Sequence, residues 1–401
     1  ATGGLWRSAD AGLTWQALFD REAVASIGAI AIFQRSPDLV WVGTGEGNPR
    51  NSASVGNGVY RTLDGGKTWQ HAGLRSSERI HRILLDPLDP DVAWVAALGP
   101  TWGDGEERGV YCTRDGGQSW QRSLYVDART GCADLAADPT NPRRLLAAMW
   151  DHRREPHFFR SGGPGSGLYL SVDGGASWRK LGEAEGMPAG ELGRIGVAFA
   201  PSQPNIVYAL VEARKSALMR STDGGTSWTN VNQEVDIAPR PFYFCDLRVD
   251  PADPDRVYSL ASLVEVSDDG GKSFRTLVGW NEAHPDHHAF WIDPTDPGHI
   301  LDGNDGGVAI SQDHGRTWRF VQNLPLAQFY HLALDMEVPY NVYGGLQDNG
   351  SWRGPSSVWA NGGIQNHHWQ EVAFGDGFAT LPVNGESSQG YAMSQGGFLM
   401  R

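Results

Sequence analysis

R-T-L-D-G-G-K-T-W, residues 61–69, is the stretch from which the rest of the chain can be read. The pattern recurs as Ser8–Trp15, Thr62–Trp69, Thr113–Trp120, Ser171–Trp178, Ser221–Trp228, Ser267–Phe274 and Ser311–Trp318. Each copy has the form Ser/Thr-x-Asp-x-Gly-x-Ser/Thr-Trp, with Phe274 as the one aromatic exchange. The aspartates Asp10, Asp64, Asp115, Asp173, Asp223, Asp269 and Asp313 stand 44 to 58 residues apart. A period of that length, filled with short alternating apolar runs, predicts four antiparallel strands per repeat, the unit of a β-propeller blade.

The spacing inside the motif has a local cause. An Asp at the start of a tight turn accepts backbone N–H groups, here expected two and three residues on. The glycines that follow supply positive φ at little steric cost. The hydroxyl residue adds a local hydrogen bond, and the Trp is expected to open the next strand with a large apolar ring. Seven copies at near-equal spacing cannot each be a catalytic acid, so these aspartates read as structural.

Each blade then divides into strands A to D. Strand A ends in a proline turn at Asp86-Pro87, Asp138-Pro139, Asp250-Pro251 and Asp293-Pro294, and more weakly at Ser36-Pro37 and Ala200-Pro201, because proline removes a ladder donor. Apolar runs such as Val40–Gly43, Val92–Ala97, Leu145–Trp150 and Ile206–Val211 read as strand B. Gly58–Arg61, Gly109–Thr113, Gly167–Ser171, Ala217–Ser221 and Val308–Ser311 read as strand C. Helical periodicity is nowhere sustained, so the expectation is all-β. After Trp318, Phe329–Leu334 reads as strand A, Asn341–Gly345 as strand B and Leu346–Trp352 as a degenerate sequel. A further A–B–C set runs from Phe378 to Arg401. Residues 1–345 would make a closed seven-bladed ring, with 346–401 as further blades or the start of a second propeller. A single ring of eight to ten blades uses the same pattern.

Composition narrows the partners. The net charge of −14 disfavours nucleic acid. Three cysteines, Cys112, Cys132 and Cys245, offer neither a disulfide framework nor a metal-ligand spacing and are expected as buried thiols. No run reaches the length of a membrane span. The chain begins without Met in mid-repeat, and Gly3–Arg7 and Gly396–Arg401 both read as third strands, so it is expected to be a fragment. Nothing in the pattern implies a cofactor.

In this blade order the aspartate turns and proline turns share one side, and the B–C and D–A loops share the other. Loops on a rigid scaffold are where sites usually lie. The B–C loops carry Glu46, Arg50 and Asn51 within 45–57, Trp102 within 99–108, and His152, Arg153, Arg154 and His157 within 150–166. Shorter ones hold Asn304-Asp305 and Gln347-Asp348-Asn349. The D–A loops carry Arg240, Phe242 and Tyr243; His284, Asp286, His287 and His288; Gln328 to Tyr330; and His367 to Trp369. Arg50, Trp102, Arg153, Arg154, Tyr243, His284, His288, Asn304 and Gln347 are the candidate ligand contacts. Arginine forks among them suit a carboxylate or sulfate. His284, Asp286 and His288 are a weak metal candidate, since a metal wants three or four convergent groups. Glu46, Asp286, Asp305, Asp348 and Asp376 are the carboxylates from which a hydrolytic pair would be drawn.

The seven motifs resemble the Asp-box, or bacterial neuraminidase, repeat. The chain as a whole resembles the bacterial propeller proteins described as sortilin-like or glycosyl-hydrolase-like. S-I-G-A-I-A at 26–31, V-G-T-G-E-G-N at 42–48, H-P-D-H-H-A-F-W-I-D-P at 284–294, G-N-D-G-G at 303–307 and Y-G-G-L-Q-D-N-G-S-W at 343–352 add to the resemblance. It implies an exported protein that is often longer than this chain. Related sortilin receptors bind peptides without catalysis. Sialidases need an arginine triad and a Tyr–Glu pair on a six-bladed ring; the repeat count here is too high, and no Tyr–Glu pair can be matched residue by residue. Xyloglucan-cleaving propellers use two aspartates, of which Asp305 or Asp348 would be one. Two expectations follow. The first is a non-catalytic exported propeller binding a protein, peptide or glycan through its B–C/D–A side, in some cases within a larger envelope assembly. The alternative is a glycoside hydrolase with a carboxylate pair on that side.

Overall fold

The computed structural model describes residues 3–234 and 237–401, as antiparallel strands with only short 3-10 turns between them. Two compact units divide the chain. One holds residues 3–7, 17–304 and 309–319; the other holds 8–16, 305–308 and 320–401.

In the first unit the strands come in fours, each set crossing its sheet in sequence order. The sets are Ile27–Ile32, Val40–Thr44, Val59–Thr62 and Gln70–His71; Ile80–Leu85, Ala93–Ala97, Gly109–Thr113 and Gln121–Leu124; and Thr130–Asp138, Asn141–Glu155, Gly167–Ser171 and Arg179–Lys180. Then come Ile195–Phe199, Val207–Val211, Ala217–Ser221 and Thr229–Asn232, followed by Asp246–Val249, Val257–Leu260, Val264–Ser267 and Arg275–Val278. His287–Ile292 and Ile300–Asn304 pair as the first two strands of the next set.

The apolar clusters lie between successive sheets. Trp41 and Val59 of the first set pack on Ile80 and Val95 of the second. Trp94 and Val110 meet Leu135 and Leu145, and Leu146 and Leu168 meet Val197 and Val207. Tyr208 and Leu218 meet Leu247 and Val257; Tyr258 and Val266 meet Phe290 and Ile300. A middle strand is therefore covered on both faces, which is why Ala93–Ala97 is buried at every position and reads as an unbroken apolar run. Each such aliphatic or aromatic side chain contributes about 1.5–3 kcal/mol by leaving water.

The motif aspartates are held in local hydrogen bonds, with a different reach from the one expected. Asp64 Oδ1 accepts the Thr68 N–H at 2.9 Å, Oδ2 accepts the Thr68 hydroxyl at 2.7 Å, and the Thr62 hydroxyl donates to Oδ1 at 2.8 Å. Thr62 Oγ1 in turn accepts the Gly66 N–H at 3.0 Å. The carboxylate thus reaches four residues on, not two; Asp223 and Asp269 also take the N–H three residues on. Gly65 and Gly66 sit at φ 71° and 87°, so the chain doubles back between hydroxyl and carboxylate.

The motif Trp precedes strand D instead of opening it, and it ties neighbouring sheets together. Trp69 Nε1 donates to the Leu18 carbonyl at 2.8 Å, and Trp120 Nε1 to the Ala72 carbonyl at 2.6 Å. Arg61 lies over Trp41 and pairs with Asp91 at 2.7 Å while donating to the Gly116 carbonyl of the next Asp turn.

The expected loop 150–166 is largely a hairpin. Strand B continues through Glu155 and returns as Phe158–Ser161, pairing His152 with Ser161 and Arg154 with Phe159. All three cysteines are free and buried.

In the second unit, Phe329–Leu334, Asn341–Leu346, Ser351–Pro355 and Gln370–Ala373 form a four-stranded sheet, and Gly377–Val383, Glu386–Ser394 and Phe398–Met400 a three-stranded one. Asn323 donates to the carbonyls of Gly12 at 3.2 Å and Leu13 at 2.7 Å, so residues 310 apart meet inside this unit.

Candidate recognition site

Arg194, at the start of a strand A and only 5% exposed, gathers the loop side of the first unit. Its Nη1 donates to Asn48 Oδ1 at 3.0 Å and to the carbonyls of Phe242 at 3.2 Å and Tyr243 at 3.0 Å. Its Nη2 donates to His81 Nε2 at 3.2 Å, and the guanidinium lies over Trp150 at 5.4 Å. Asn48 continues the network to His288 Nδ1 at 3.1 Å. The His288 ring stacks on Phe244 at 5.1 Å and meets Tyr243 edge-on at 5.5 Å. Arg240 covers both aromatic rings. One guanidinium thus fixes a B–C loop and a D–A loop, because a donor-only fork can serve several carbonyls at once.

A second cluster adjoins it through Trp150. His152 stacks on that indole at 4.0 Å and accepts from Arg79 Nη2 at 3.0 Å. Arg79 and Arg108 both donate to the Pro100 carbonyl, at 3.2 and 2.7 Å. Burial first, and then the neighbouring guanidiniums, push His81 and His152 well below the usual imidazole range, so both rings are neutral. Burial and Arg108 bring Arg79 down to about 9.

The other predicted contacts have bonds of their own, Gln347 within the second unit. Arg50 pairs with Glu46 at 2.6 Å, Arg153 with Asp104, and Arg154 with Asn51 Oδ1 at 2.7 Å while lying over Phe159. Trp102 is exposed on its loop. His284 donates through Nδ1 to the Pro285 carbonyl at 3.0 Å, and Asp286 faces Arg240 at 3.9 Å. Asn304 donates to Asp302 Oδ2 at 2.9 Å, and the Gln347 carbonyl accepts from Asn349 at 2.8 Å. Among the described residues, His284, Asp286 and His288 do not come together as three metal ligands.

Three of the candidate carboxylates meet in the second unit. Asp376 Oδ1 accepts the Asp348 N–H at 2.7 Å. Partial burial, the hydrogen bond to Asp376 and the charges of Asp376 and Asp305 push the Asp348 carboxyl up to about 7. Asp348 also holds φ 57°, a conformation that short polar side chains tolerate better than others.

The sequence reading missed Arg79, His81, Arg108 and Arg194. Arg79-Ile80 and Arg194-Ile195 carried the available signal, an arginine at the mouth of an apolar strand in two blades.

Fold and motif together make the chain a β-propeller built on Asp-box repeats. The family model described as Sortilin, neurotensin receptor 3 matches residues 57–187. The xyloglucanase Xgh74A of Acetivibrio thermocellus is 28% identical over 211 residues, covering 45% of this chain and 23% of that protein. The photosystem II assembly lipoprotein Ycf48 of Nostoc is 29% identical over 151 residues, covering 33% of this chain and 44% of that protein. PorZ, a surface component of the type-IX secretion system of Porphyromonas gingivalis, superposes with a TM-score of 0.55 at 12% identity, over 100% of this chain and 48% of PorZ. The chain spans less than half the length of each of these relatives. No helix is long and apolar enough to cross a membrane among the described residues.

Proposed function

We propose that this chain is an exported, non-catalytic recognition propeller that binds a protein, peptide or glycan on the loop side of its first unit. The observation that carries the reading is the Arg194 network, which locks loops from distant repeats into one pre-organised surface edged by Arg240, Tyr243, His288 and Arg154. Pre-organisation lowers the entropy lost on binding, and aromatic and arginine side chains are the usual anchors. The lipoprotein relative and the surface-component likeness support export.

The hydrolase alternative draws on the xyloglucanase relative and on the raised Asp348 carboxyl. Glycoside hydrolysis needs carboxyl groups about 5–9.5 Å apart, with sugar or water between them. Asp348 and Asp376 are instead bonded to each other, and Glu46 is held by Arg50. The test uses the purified chain on peptide and glycan arrays alongside a glycosidase panel. Capture weakened about tenfold by Arg240→Ala or Tyr243→Ala, with no turnover, is the expected result. Turnover abolished by Asp348→Asn or Asp305→Asn would overturn the reading.

A further inference from the structure

A seam runs between consecutive sheets of the first unit, where strand C of one sheet meets the Asp turn of the next. Arg61 fills one such seam. It stands opposite Trp41 in the ladder, lies over that indole at 5.1 Å, and donates to Asp91 at 2.7 Å and to the Pro90 and Gly116 carbonyls at 3.3 Å. Arg220 fills another in the same way, over Tyr208 at 5.8 Å and paired with Asp255 at 2.8 Å. Arg7 donates to the Gly65 carbonyl at 3.5 Å, beside Asp38. Where strand C offers Leu170 or Val266 at this place, an arginine stands at the head of the apolar run of strand B. Arg144 lies against Gly224, and Arg256 covers Tyr258 at 5.4 Å.

The seam between the second and third sets has neither arginine. Cys112 holds the place of Arg61, opposite Trp94, and Val92 that of Arg144 and Arg256. In the facing turn Arg143 replaces Asp91. The two are equivalent because each accepts, on its carbonyl, the first glycine N–H of its own Asp turn, from Gly174 at 2.8 Å and Gly116 at 3.0 Å. What remains is a pocket of about 290 Å³, lined by Trp94, Pro142, Asp86, Asp173, Arg114 and Arg143.

Among the described residues, no hydrogen bond or ion pair engages the guanidinium of Arg114 or Arg143. The two carboxylates of the lining are committed to their own turns. Asp86 Oδ1 accepts the Leu88 and Asp89 N–H groups at 2.8 and 3.1 Å. Asp173 Oδ1 accepts the Ser171 hydroxyl and the Ser177 N–H, and Oδ2 accepts the Ser177 hydroxyl. The acids beyond the lining are engaged as well: Asp115 by Thr113 and Ser119, and Asp91 by Arg61. Two guanidinium forks, donors only, thus face a single carboxylate oxygen without a local bond, Asp86 Oδ2.

We infer that this open seam binds a carboxylate, the acidic side chain of a partner protein, with Arg114 and Arg143 holding the anion and Trp94 and Pro142 packing against its stem. The pocket lies at the other end of strand Gly109–Thr113 from loop 99–108, so it is a second site and does not depend on the loop surface. Two observations favour a side chain over a sugar. Arg61 and Arg220 show that a seam of this kind takes one side chain beside an aromatic ring. Trp94, 3% exposed, has no open face for a sugar ring to stack on. Asp86 and Asp173 also act on the pocket, which favours a singly charged carboxylate over the larger charge of a phosphate monoester.

The test titrates the full chain with N-acetylglutamate amide, its neutral isostere N-acetylglutamine amide, glucuronate and inorganic phosphate, all at equal ionic strength. Calorimetry follows binding, and the resonance of the Trp94 indole N–H, which donates to the Gly174 carbonyl at 3.0 Å, reports occupancy. Saturable millimolar binding of the glutamate probe with a shift of that resonance, and neither with the glutamine probe, supports the site. Arg114→Gln and Arg143→Gln, both at exposed positions, should each weaken binding about fivefold. Arg35→Gln, at an exposed arginine in the proline turn of the first set, should leave it unchanged. Cys112→Arg together with Arg143→Asp supplies the pair that closes the Arg61 seam, and should abolish binding without lowering the melting temperature. If that double variant does not fold, the two single variants decide. No saturable binding, equal binding of the glutamine probe, or an equal loss in Arg35→Gln overturns the site as general surface attraction. Tighter binding of glucuronate or phosphate overturns the assignment to an acidic side chain.

Discussion

At Asp64 the Thr68 N–H, the Thr68 hydroxyl and the Thr62 hydroxyl hold the carboxyl down to about 2. The other six motif aspartates come to the same value through equivalent bonds. A folded pKa below the unfolded value adds stability that is complete above about pH 4 and is lost as pH falls through about 2. Acid should therefore unfold the chain steeply between those limits, and Asp64→Asn should flatten the curve; urea melts across pH 2–5 check this. Asp348 has the opposite sign. Its raised carboxyl costs stability above the unfolded pKa, increasingly up to about pH 7, and protonation relieves the cost. Asp348→Asn keeps a residue that tolerates φ 57° and removes the repulsion. Because Asp348 is partly exposed and its charge partly screened, the expected gain at pH 8 is under about 1 kcal/mol, vanishing near pH 4. An unchanged melting temperature at pH 8 would show that the three carboxyls do not repel.

Elements carry the next level of cause. The hairpin in which strand Asn141–Glu155 turns back through Phe158–Ser161 is held by pairs among its own residues, from His152–Ser161 to Glu155–Phe158. It lifts Arg154 towards Asn51 and keeps His152 inside against Arg79. Arg194 does the converse, joining loops that have no ladder between them. Arg194→Met should leave Asn48, the Phe242 and Tyr243 carbonyls and His81 without their donor. The expected cost is about 3 kcal/mol, from several charge-assisted bonds to buried acceptors. Arg194→Lys should recover less than half of that, since an ammonium lacks the planar fork. Urea denaturation measures both, and faster hydrogen exchange near 45–57 and 240–244 should accompany the loss.

For the whole molecule, the apolar clusters between consecutive sheets mean that no sheet of the first unit owns its core. Stability in such arrays is largely a sum of nearest-neighbour interfaces. Trp41 is fully buried between the first two sets and crosses the Trp120 ring at 6.2 Å, edge to face. Trp41→Ala should cost about 3–5 kcal/mol through the cavity left behind. The melt should stay a single transition at lower temperature; a separate early transition of residues 27–71 would show that the sheets are independent.

The amino-acid sequence by itself determined the all-β class, the four-strand repeat, strands such as Gly109–Thr113 and Phe329–Leu334, and the local turns at the seven aspartates. Those features rest on bonds within a single turn and on apolar runs of strand length, so the information is local. The candidate rim was legible as a set of loop residues. Its centre was not, because Arg194 binds Asn48 across 146 residues and His81 across 113, and Arg79 meets His152 across 73. Only the packing of one sheet on the next brings those buried donors together. An arginine at the head of an apolar strand looks the same in sequence whether it faces solvent or a neighbour's imidazole.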